Sequence, residues 1–222
     1  MVMIMKTQNK IIELNKFIDF TLLDPRATKA DLERLCDVAY KNQYYAVCVN
    51  SCNVEFVAGY IKKNLNDALK IVSVIGFPLG VVSTDVKVFE TKLALQDGAD
   101  EIDFVINVGM IKNGDWKYIK NELVKMRKVS KGHVLKCIIE TCYLTDNEII
   151  KICGLCSQAK IDYVKTSTGF GTAGATEHHV KLMVESLSKK CKVKASGGIR
   201  SREDAIRYIN LGAERIGASR IL

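Results

Sequence analysis

The run Asp162-Tyr163-Val164-Lys165-Thr166-Ser167-Thr168-Gly169-Phe170-Gly171 sets a lysine at the end of a short, β-branched, apolar stretch, directly before a loop rich in hydroxyls and glycine. Lysine is seldom fully buried unless it is paired, and burial lowers its pKa toward a neutral, nucleophilic amine. About thirty residues on, the length of one βα unit, the arrangement recurs as Lys192-Val193-Lys194-Ala195-Ser196-Gly197-Gly198-Ile199-Arg200. Either lysine alone also fits a solvent-facing strand end. Together, each with its glycine loop, Lys165 and Lys194 point to covalent amine chemistry beside an anion site.

The elements that must hold these lysines follow a repeating alternation. Short β-rich runs lie at Ile18–Leu23, Tyr45–Val49, Ile71–Ile75, Glu101–Ile106, Val134–Ile139, Tyr163–Lys165, Val193–Ser196 and Arg215–Gly217. Helical periodicity fills the intervals. Thr28/Asp31, Thr145/Glu148 and Ser201/Asp204 have the spacing of capping boxes, and Gly98 and Gly212 stand where left-handed helix stops are expected. Eight strands alternating with helices predict an α/β fold, a closed parallel (β/α)8 TIM barrel, with an open doubly wound sheet as the competitor. No linker-like stretch divides the chain, so residues 1–222 read as one domain. Only five residues follow Gly217, which predicts an eighth helix that is short or absent. A helix near Lys10–Asn15 is expected to plug the barrel bottom.

With 222 residues the chain can bury a full core, and its net charge of +8 favours anionic ligands or reflects a lysine-rich surface. No basic cluster alternates with aromatics, so a nucleic-acid surface is not expected. The start, Met1 to Lys6, is too short for a signal sequence, and no apolar run spans a membrane, so the expectation is a cytoplasmic protein. The eight cysteines are read as reduced and structural. Cys153-Gly154-Leu155-Cys156 is a C-x-x-C only in form, because it falls in a helical pattern with no second pair. His178-His179 reads as surface histidines, and neither a metal nor a cofactor is expected.

Chemistry in such a barrel sits at the C-terminal strand ends. These hold Asp19, Thr21, Cys48, Asn50, Gly76 to Pro78, Asp103, Asn107, Lys136, Glu140, Lys165 and Lys194. Asp103 shares a strand face with Glu101 and Val105, and a carboxylate pointing into a barrel needs a cation. That leaves Asp103 and Lys136 open to either a catalytic or a salt-bridging role. Gly169-Phe170-Gly171-Thr172-Ala173-Gly174 matches a dinucleotide fingerprint only formally, since no acid closes the next strand. Phosphate binding by backbone N–H groups, or simple turns, account better for the glycines at 169, 197, 198 and 217.

These motifs, with Ile18-Asp19-Phe20-Thr21-Leu22-Leu23, Ala46-Val47-Cys48-Val49-Asn50, Val74-Ile75-Gly76-Phe77-Pro78-Leu79-Gly80, Gly98-Ala99-Asp100-Glu101-Ile102-Asp103 and Ile138-Ile139-Glu140-Thr141, resemble the deoxyribose-phosphate aldolases in order from residue 18 onward. The resemblance implies a metal-independent class I aldolase that interconverts 2-deoxy-D-ribose 5-phosphate with acetaldehyde and D-glyceraldehyde 3-phosphate. It implies Lys165 as Schiff-base lysine, Lys194 as the second active-site lysine, depressing the pKa of Lys165, and Asp103 as catalytic aspartate. Thr166, Thr168, Lys136 and Cys48 are supporting candidates, Cys48 as a pocket-lining residue. Gly169, Gly197, Gly198, Arg200, Gly217 and Ser219 are the candidates for substrate and phosphate. It also implies a homo-oligomer, a dimer first. Phe20, Asp24, Cys142 and Arg220 depart from the family pattern, Arg220 at the phosphate loop. The alternative from another class is a catalytically silent barrel that binds sugar phosphates.

Overall fold

The structure, a computed structural model, describes residues 13–221. Eight strands, β1 (Ile18–Leu22), β2 (Ala46–Asn50), β3 (Lys70–Ile75), β4 (Glu101–Val105), β5 (Val134–Ile138), β6 (Tyr163–Lys165), β7 (Lys192–Ser196) and β8 (Ala213–Ala218), pair in sequence order, and β8 closes onto β1. Every pairing is parallel. The helices between them are α1 (Lys29–Lys41), α2 (Val54–Asn64), α3 (Thr84–Gln96), α4 (Val108–Lys112), α5 (Trp116–Val129), α6 (Asp146–Gln158), α7 (Glu177–Ser186) and α8 (Arg202–Asn210), with α4 and α5 both following β4. The expected TIM barrel is therefore what forms, and among the described residues no helix follows β8.

The local signals act where they were expected. Thr28 and Thr145 form reciprocal capping boxes with Asp31 and Glu148. At α8, Ser201 accepts from the Asp204 N–H, but the Asp204 carboxylate turns to the Arg200 N–H instead, so that box is half made. Gly98 at φ +109° ends α3 in a Schellman turn, its own N–H bonding Leu95 O and the Ala99 N–H bonding Ala94 O. Of the expected plug, residues 10–12 lie outside the described residues, as do Met1 to Lys6. A 3-10 turn at Leu14–Phe17, with Leu14 buried, sits against α8 and β8.

Strand alternation sorts the core into two parts. Outward residues such as Val47, Val49, Ile102 and Phe104 pack against the helices, while Ala46, Cys48, Val72 and Val74 form a separate inner cluster. The other side of the barrel interior is ionic. Burying that many charges is tolerable only because each is paired.

A buried ion pair outside the barrel was not foreseen from sequence. The face of α3 toward the strands is polar, carrying Thr84, Lys87 and Thr91. Lys87 is wholly buried and donates to Glu122 of α5 at 2.6 Å and to the Val105 carbonyl at 2.7 Å. Glu122 in turn accepts the Asn107 N–H at 3.1 Å, so the pair pins α3 and α5 to the end of β4. Glu122→Leu leaves a buried ammonium without its partner and is expected to cost about 3–5 kcal/mol, whereas Lys87→Met with Glu122→Leu stays within about 1–2 kcal/mol of the parent. Urea unfolding of the three proteins measures this. Equal losses in the single and double variants would contradict it.

Candidate active site

Lys165 is the last residue of β6, and its neighbour in register on β7 is Lys194. Asp103 on β4 is likewise opposite Lys136 on β5. All four side chains point into the barrel, which places them around one carboxylate. Asp103 Oδ2 accepts from Lys194 Nζ at 2.8 Å and from Lys165 Nζ at 3.1 Å, and its Oδ1 accepts from Lys136 Nζ at 2.8 Å. The three residues expected to be catalytic are thus brought together, with Lys136 beside them.

Around them lies a second tier in which Arg215 and Tyr45 had no role assigned from sequence. Lys194 also donates to Asp19 of β1. Arg215 of β8 reaches Asp19 Oδ1 at 2.9 Å and Glu101 Oε2 at 3.5 Å. Lys136 reaches Glu101 Oε2 at 2.6 Å. The Tyr45 hydroxyl donates to Glu101 at 2.8 Å, and its ring lies 3.6 Å from the Arg215 guanidinium carbon. The available signal for Arg215 was its alternation with Gly217 on the last strand.

Among the described residues this interior holds four basic side chains, Lys136, Lys165, Lys194 and Arg215, against three acids, Asp19, Glu101 and Asp103. One positive charge is in excess. Lys136, Lys194 and Arg215 each meet two or more carboxylates, and their pKa values are raised because those charges outweigh burial. Lys165 meets one, and its pKa is lowered. Burial is the largest cause; Asp103 opposes it and the Lys194 charge adds to it. The expected effect of Lys194 is therefore present, second to burial among the causes that lower it. Burial works against the charged form of the two aspartates as well, but the surrounding cations prevail, holding Asp19 at about 2 and Asp103 well below the usual range.

A cavity of about 550 Å3 opens above this network. Lys165, itself only 3 % exposed, lines it together with Thr21, Thr168, Phe170 and Ser196. Lys194, Lys136 and Asp103 do not line it, so among the interior lysines Lys165 alone meets the cavity. Of the expected anion ligands, Gly169, Gly197, Gly198, Gly217 and Ser219 line it as well. Gly174 and Gly197 permit a close approach of two loops: a Cβ on Gly174 would stand 2.1 Å from the Gly197 oxygen, and one on Gly197 2.9 Å from the Gly174 Cα. Gly217 has Lys194 Cε and Ser196 Cβ at 3.4 and 2.9 Å from where its own Cβ would be.

Several expectations need correction. Arg200 is exposed outside the cavity, its N–H bonded to Asp204. Thr166 is buried and clamps β6 to β7 by donating to Ser196 O and accepting the Ser196 N–H, away from the cavity. Cys48 is wholly buried beside the lysines rather than lining the cavity, and burial raises its thiol pKa, which disfavours the thiolate. Thr168 does line it, with its hydroxyl held by Glu140, a buried carboxylate on a left-handed residue (φ +51°). Arg220 lines an adjoining groove of about 770 Å3 that holds none of the three lysines; Asp24 and Ser219 border both spaces. Asp24 is tied to Arg26 at 2.8 Å, Phe20 packs on Tyr44, and Cys142 lies 3.9 Å from Glu140.

The remaining motifs are structural. Cys153 and Cys156 are buried in α6, burial raising both pKa values, and all eight cysteines are free. His178 lies in the first turn of α7, 2.9 Å from Asp146. Among the described residues no helix is long and apolar enough to cross a membrane.

Comparison with known proteins gives a consistent result. The family description DeoC, the DeoC/LacD family aldolases, matches residues 14–219. A protein of Finegoldia magna named deoxyribose-phosphate aldolase is 51 % identical, covering 94 % of this chain and 96 % of that one. The Thermococcus kodakarensis protein of the same name is 50 % identical over 93 % of both chains. Among solved structures, the aldolase QR15 superposes with a TM-score of 0.89 at 40 % identity, covering 94 % of this chain and 92 % of that one. The tetrameric deoxyribose phosphate aldolase of Aeropyrum pernix superposes at 0.85 with 34 % identity, covering 93 % of this chain and 86 % of that one. A closed eight-stranded barrel, a lysine-ringed carboxylate and this sequence likeness over nearly the whole length together place the chain in the DeoC/LacD aldolase family.

Proposed function

We propose that the chain is an aldehyde-lyase of class I, reversibly cleaving 2-deoxy-D-ribose 5-phosphate to acetaldehyde and D-glyceraldehyde 3-phosphate through a Schiff base on Lys165. The observation that carries the reading is the placement of Lys165. It is the least compensated cation of the interior and the lysine that lines the cavity. A lysine there loses its proton more readily than its neighbours and meets the substrate first.

The free amine adds to the C1 carbonyl carbon of the open-chain sugar. The carbinolamine loses hydroxide as water, taking a proton from the Lys194 ammonium, and leaves an iminium. The 3-hydroxyl then gives its proton to the Lys194 amine left by that step, and C3 becomes a carbonyl. The C2–C3 electron pair flows into the iminium, releasing glyceraldehyde 3-phosphate and leaving an enamine. Protonation at C2 and hydrolysis free acetaldehyde and restore the amine. Asp103 is too weak a base, at its depressed pKa, to hold a proton for long. Its role is to orient Lys165 and Lys194 and to pass protons between Lys194 and water. Lys136, tied to Glu101 and Asp103, is a positioning residue. The phosphate is assigned to the backbone N–H groups around Gly169, Gly197, Gly198, Gly217 and Ser219.

The same proposal treats residues 1–222 as one domain acting on small sugar phosphates and aldehydes. Eight free thiols suit a reducing compartment, and a cytoplasmic location is part of it. Self-association, a dimer first, is carried over from the family and supported by the tetrameric Aeropyrum pernix relative.

Acetaldehyde with borohydride, followed by peptide mapping, is expected to mark Lys165, and Lys165→Ala to reduce cleavage to background. An adduct on another lysine, or a substrate-binding protein with no adduct at all, would sink the mechanism, the latter in favour of a silent binding barrel. Asp103→Asn is expected to lower kcat by about 10²–10⁴-fold while slow trapping at Lys165 persists. An unchanged kcat would remove Asp103 from the chemistry. The acid limb of kcat/KM against pH reports the Lys165 amine. Arg215→Met removes a cation, stabilises protonated Lys165 and moves that limb to higher pH; Glu101→Gln removes an anion and moves it lower. Each shift is up to about 1 unit, and shifts of the same sign would contradict the charge count.

A further inference from the structure

Two of the three histidines of this chain, His178 and His179, are adjacent, in the first turn of α7, and the proposed aldol chemistry uses neither. A helix N-terminus carries a partial positive charge. An imidazolium is therefore disfavoured there, and the neutral ring, the form that binds metals, is favoured. Burial, and then the neighbouring His178, hold the pKa of His179 below the usual histidine value, in the same direction.

Helix α6 packs beside α7 and begins with Asp146. The two carboxylate oxygens of Asp146 lie 3.0 and 2.9 Å from His178 Nε2. A nitrogen of the His179 ring completes the group, since one donor atom from each of the three side chains lies within 4.8 Å of the other two. Ligands of a tetrahedral ion stand about 2.0–2.2 Å from the metal, and so about 3.3 Å from one another. His178 and Asp146 are already near that spacing. The His179 nitrogen has to approach by about 1.5 Å at most. His179 adds an independent sign: its Nδ1 is buried and has no hydrogen-bond partner. Buried polar atoms are nearly always satisfied, and a bound ion or water is an ordinary reason for one that is not.

The donor set decides the kind of ion. Two imidazoles and a carboxylate suit Zn2+, Co2+, Ni2+ or Cu2+, whereas Mg2+ and Ca2+ require mostly oxygen. Three protein ligands leave the fourth position to water. His178 binds by shifting its ring proton from Nε2 to Nδ1, so two neutral imidazoles take up the ion with no net release of protons. The positive helix ends oppose a dication and Asp146 offsets them only in part, which sets the expected dissociation constant at roughly micromolar.

We propose that Asp146, His178 and His179 form a surface site for one divalent transition-metal ion, which ties the start of α6 to the start of α7. The loop leading into α7 carries Thr168, Gly169 and Phe170 of the cavity wall, so the ion stiffens that rim from outside. None of its three ligands lines the cavity, and the Schiff-base chemistry proceeds without it.

Equilibrium dialysis of the full chain, first stripped with a chelator, against Co2+ and Ni2+ tests this, with circular dichroism to verify that each variant folds. The parent is expected to bind one equivalent, Ni2+ more tightly than Co2+, and to melt at a higher temperature when loaded. The Co2+ form is expected to show visible ligand-field bands without a near-ultraviolet thiolate band. His178→Ala, His179→Ala and Asp146→Ala are each expected to weaken binding by about 10–100-fold and to abolish the thermal shift. His133→Ala, which removes the remaining histidine, and Cys52→Ser, which removes the exposed thiol, are expected to leave binding unchanged. Borohydride trapping at Lys165 is expected to be equal in the stripped parent and in His178→Ala. No binding by the parent up to millimolar metal, a thiolate band, or binding unaltered in any of the three ligand variants would overturn the site. Trapping that requires added metal would overturn its separation from the chemistry.

Discussion

Inside the barrel the carboxylate of Asp103 meets the ammonium groups of Lys136, Lys165 and Lys194, and that shortage of negative charge governs the site. A single carboxylate cannot fully compensate three ammonium groups in a dry interior. Asp19 and Glu101 relieve it by taking a share of Lys194 and Lys136, yet they also hold Arg215. The deficit therefore falls on the group with the fewest partners. Lys165 is that group because its strand, β6, is the shortest in the barrel and ends at the rim, where the cavity begins. Reactivity here follows from bookkeeping of charge over the whole interior more than from any single neighbour.

The scaffold makes that arrangement possible by keeping water and alternative partners away. Half of the interior is apolar, with Ala46, Cys48, Val72 and Val74 facing the ionic side. Such a medium strengthens each ion pair and penalises any charge left unpaired. The loops above supply glycine where a side chain would intrude, at Gly197 against Gly174 and at Gly217 against Lys194. Glu140, strained at positive φ, holds Thr168 at the cavity edge by accepting both its N–H and its hydroxyl. Outside, Lys87 and Glu122 fix α3 so that its apolar face must point away from the barrel.

Much of this was legible in the amino-acid sequence, for identifiable reasons. Strand boundaries fell within a residue or two because β-branched runs alternate with well-capped helices, as at Thr28 and Thr145. Lys165, Lys194 and Asp103 stood out because lysine or aspartate within an apolar strand is unusual. What stayed hidden depends on contacts between residues far apart in the chain. Arg215 and Asp19 are 196 positions apart, and their pairing arises only from closure of β8 onto β1. Lys87 gave no signal of burial, since its helix carries apolar residues on the opposite side. Thr166 and Arg200 were assigned by proximity to the active-site loops, which does not tell which way a side chain turns.

The account stands on the claim that the surplus proton of the interior leaves from Lys165. Nitrogen NMR of 15N-lysine-labelled enzyme, followed through a pH titration with Lys165, Lys194 and Lys136 assigned by single replacements, tests this directly. Lys165 is expected to deprotonate below the ordinary lysine range, with Lys136 and Lys194 remaining ammonium groups throughout its transition. Loss of the first proton from Lys194 or Lys136, or a Lys165 that titrates with the surface lysines, would contradict it.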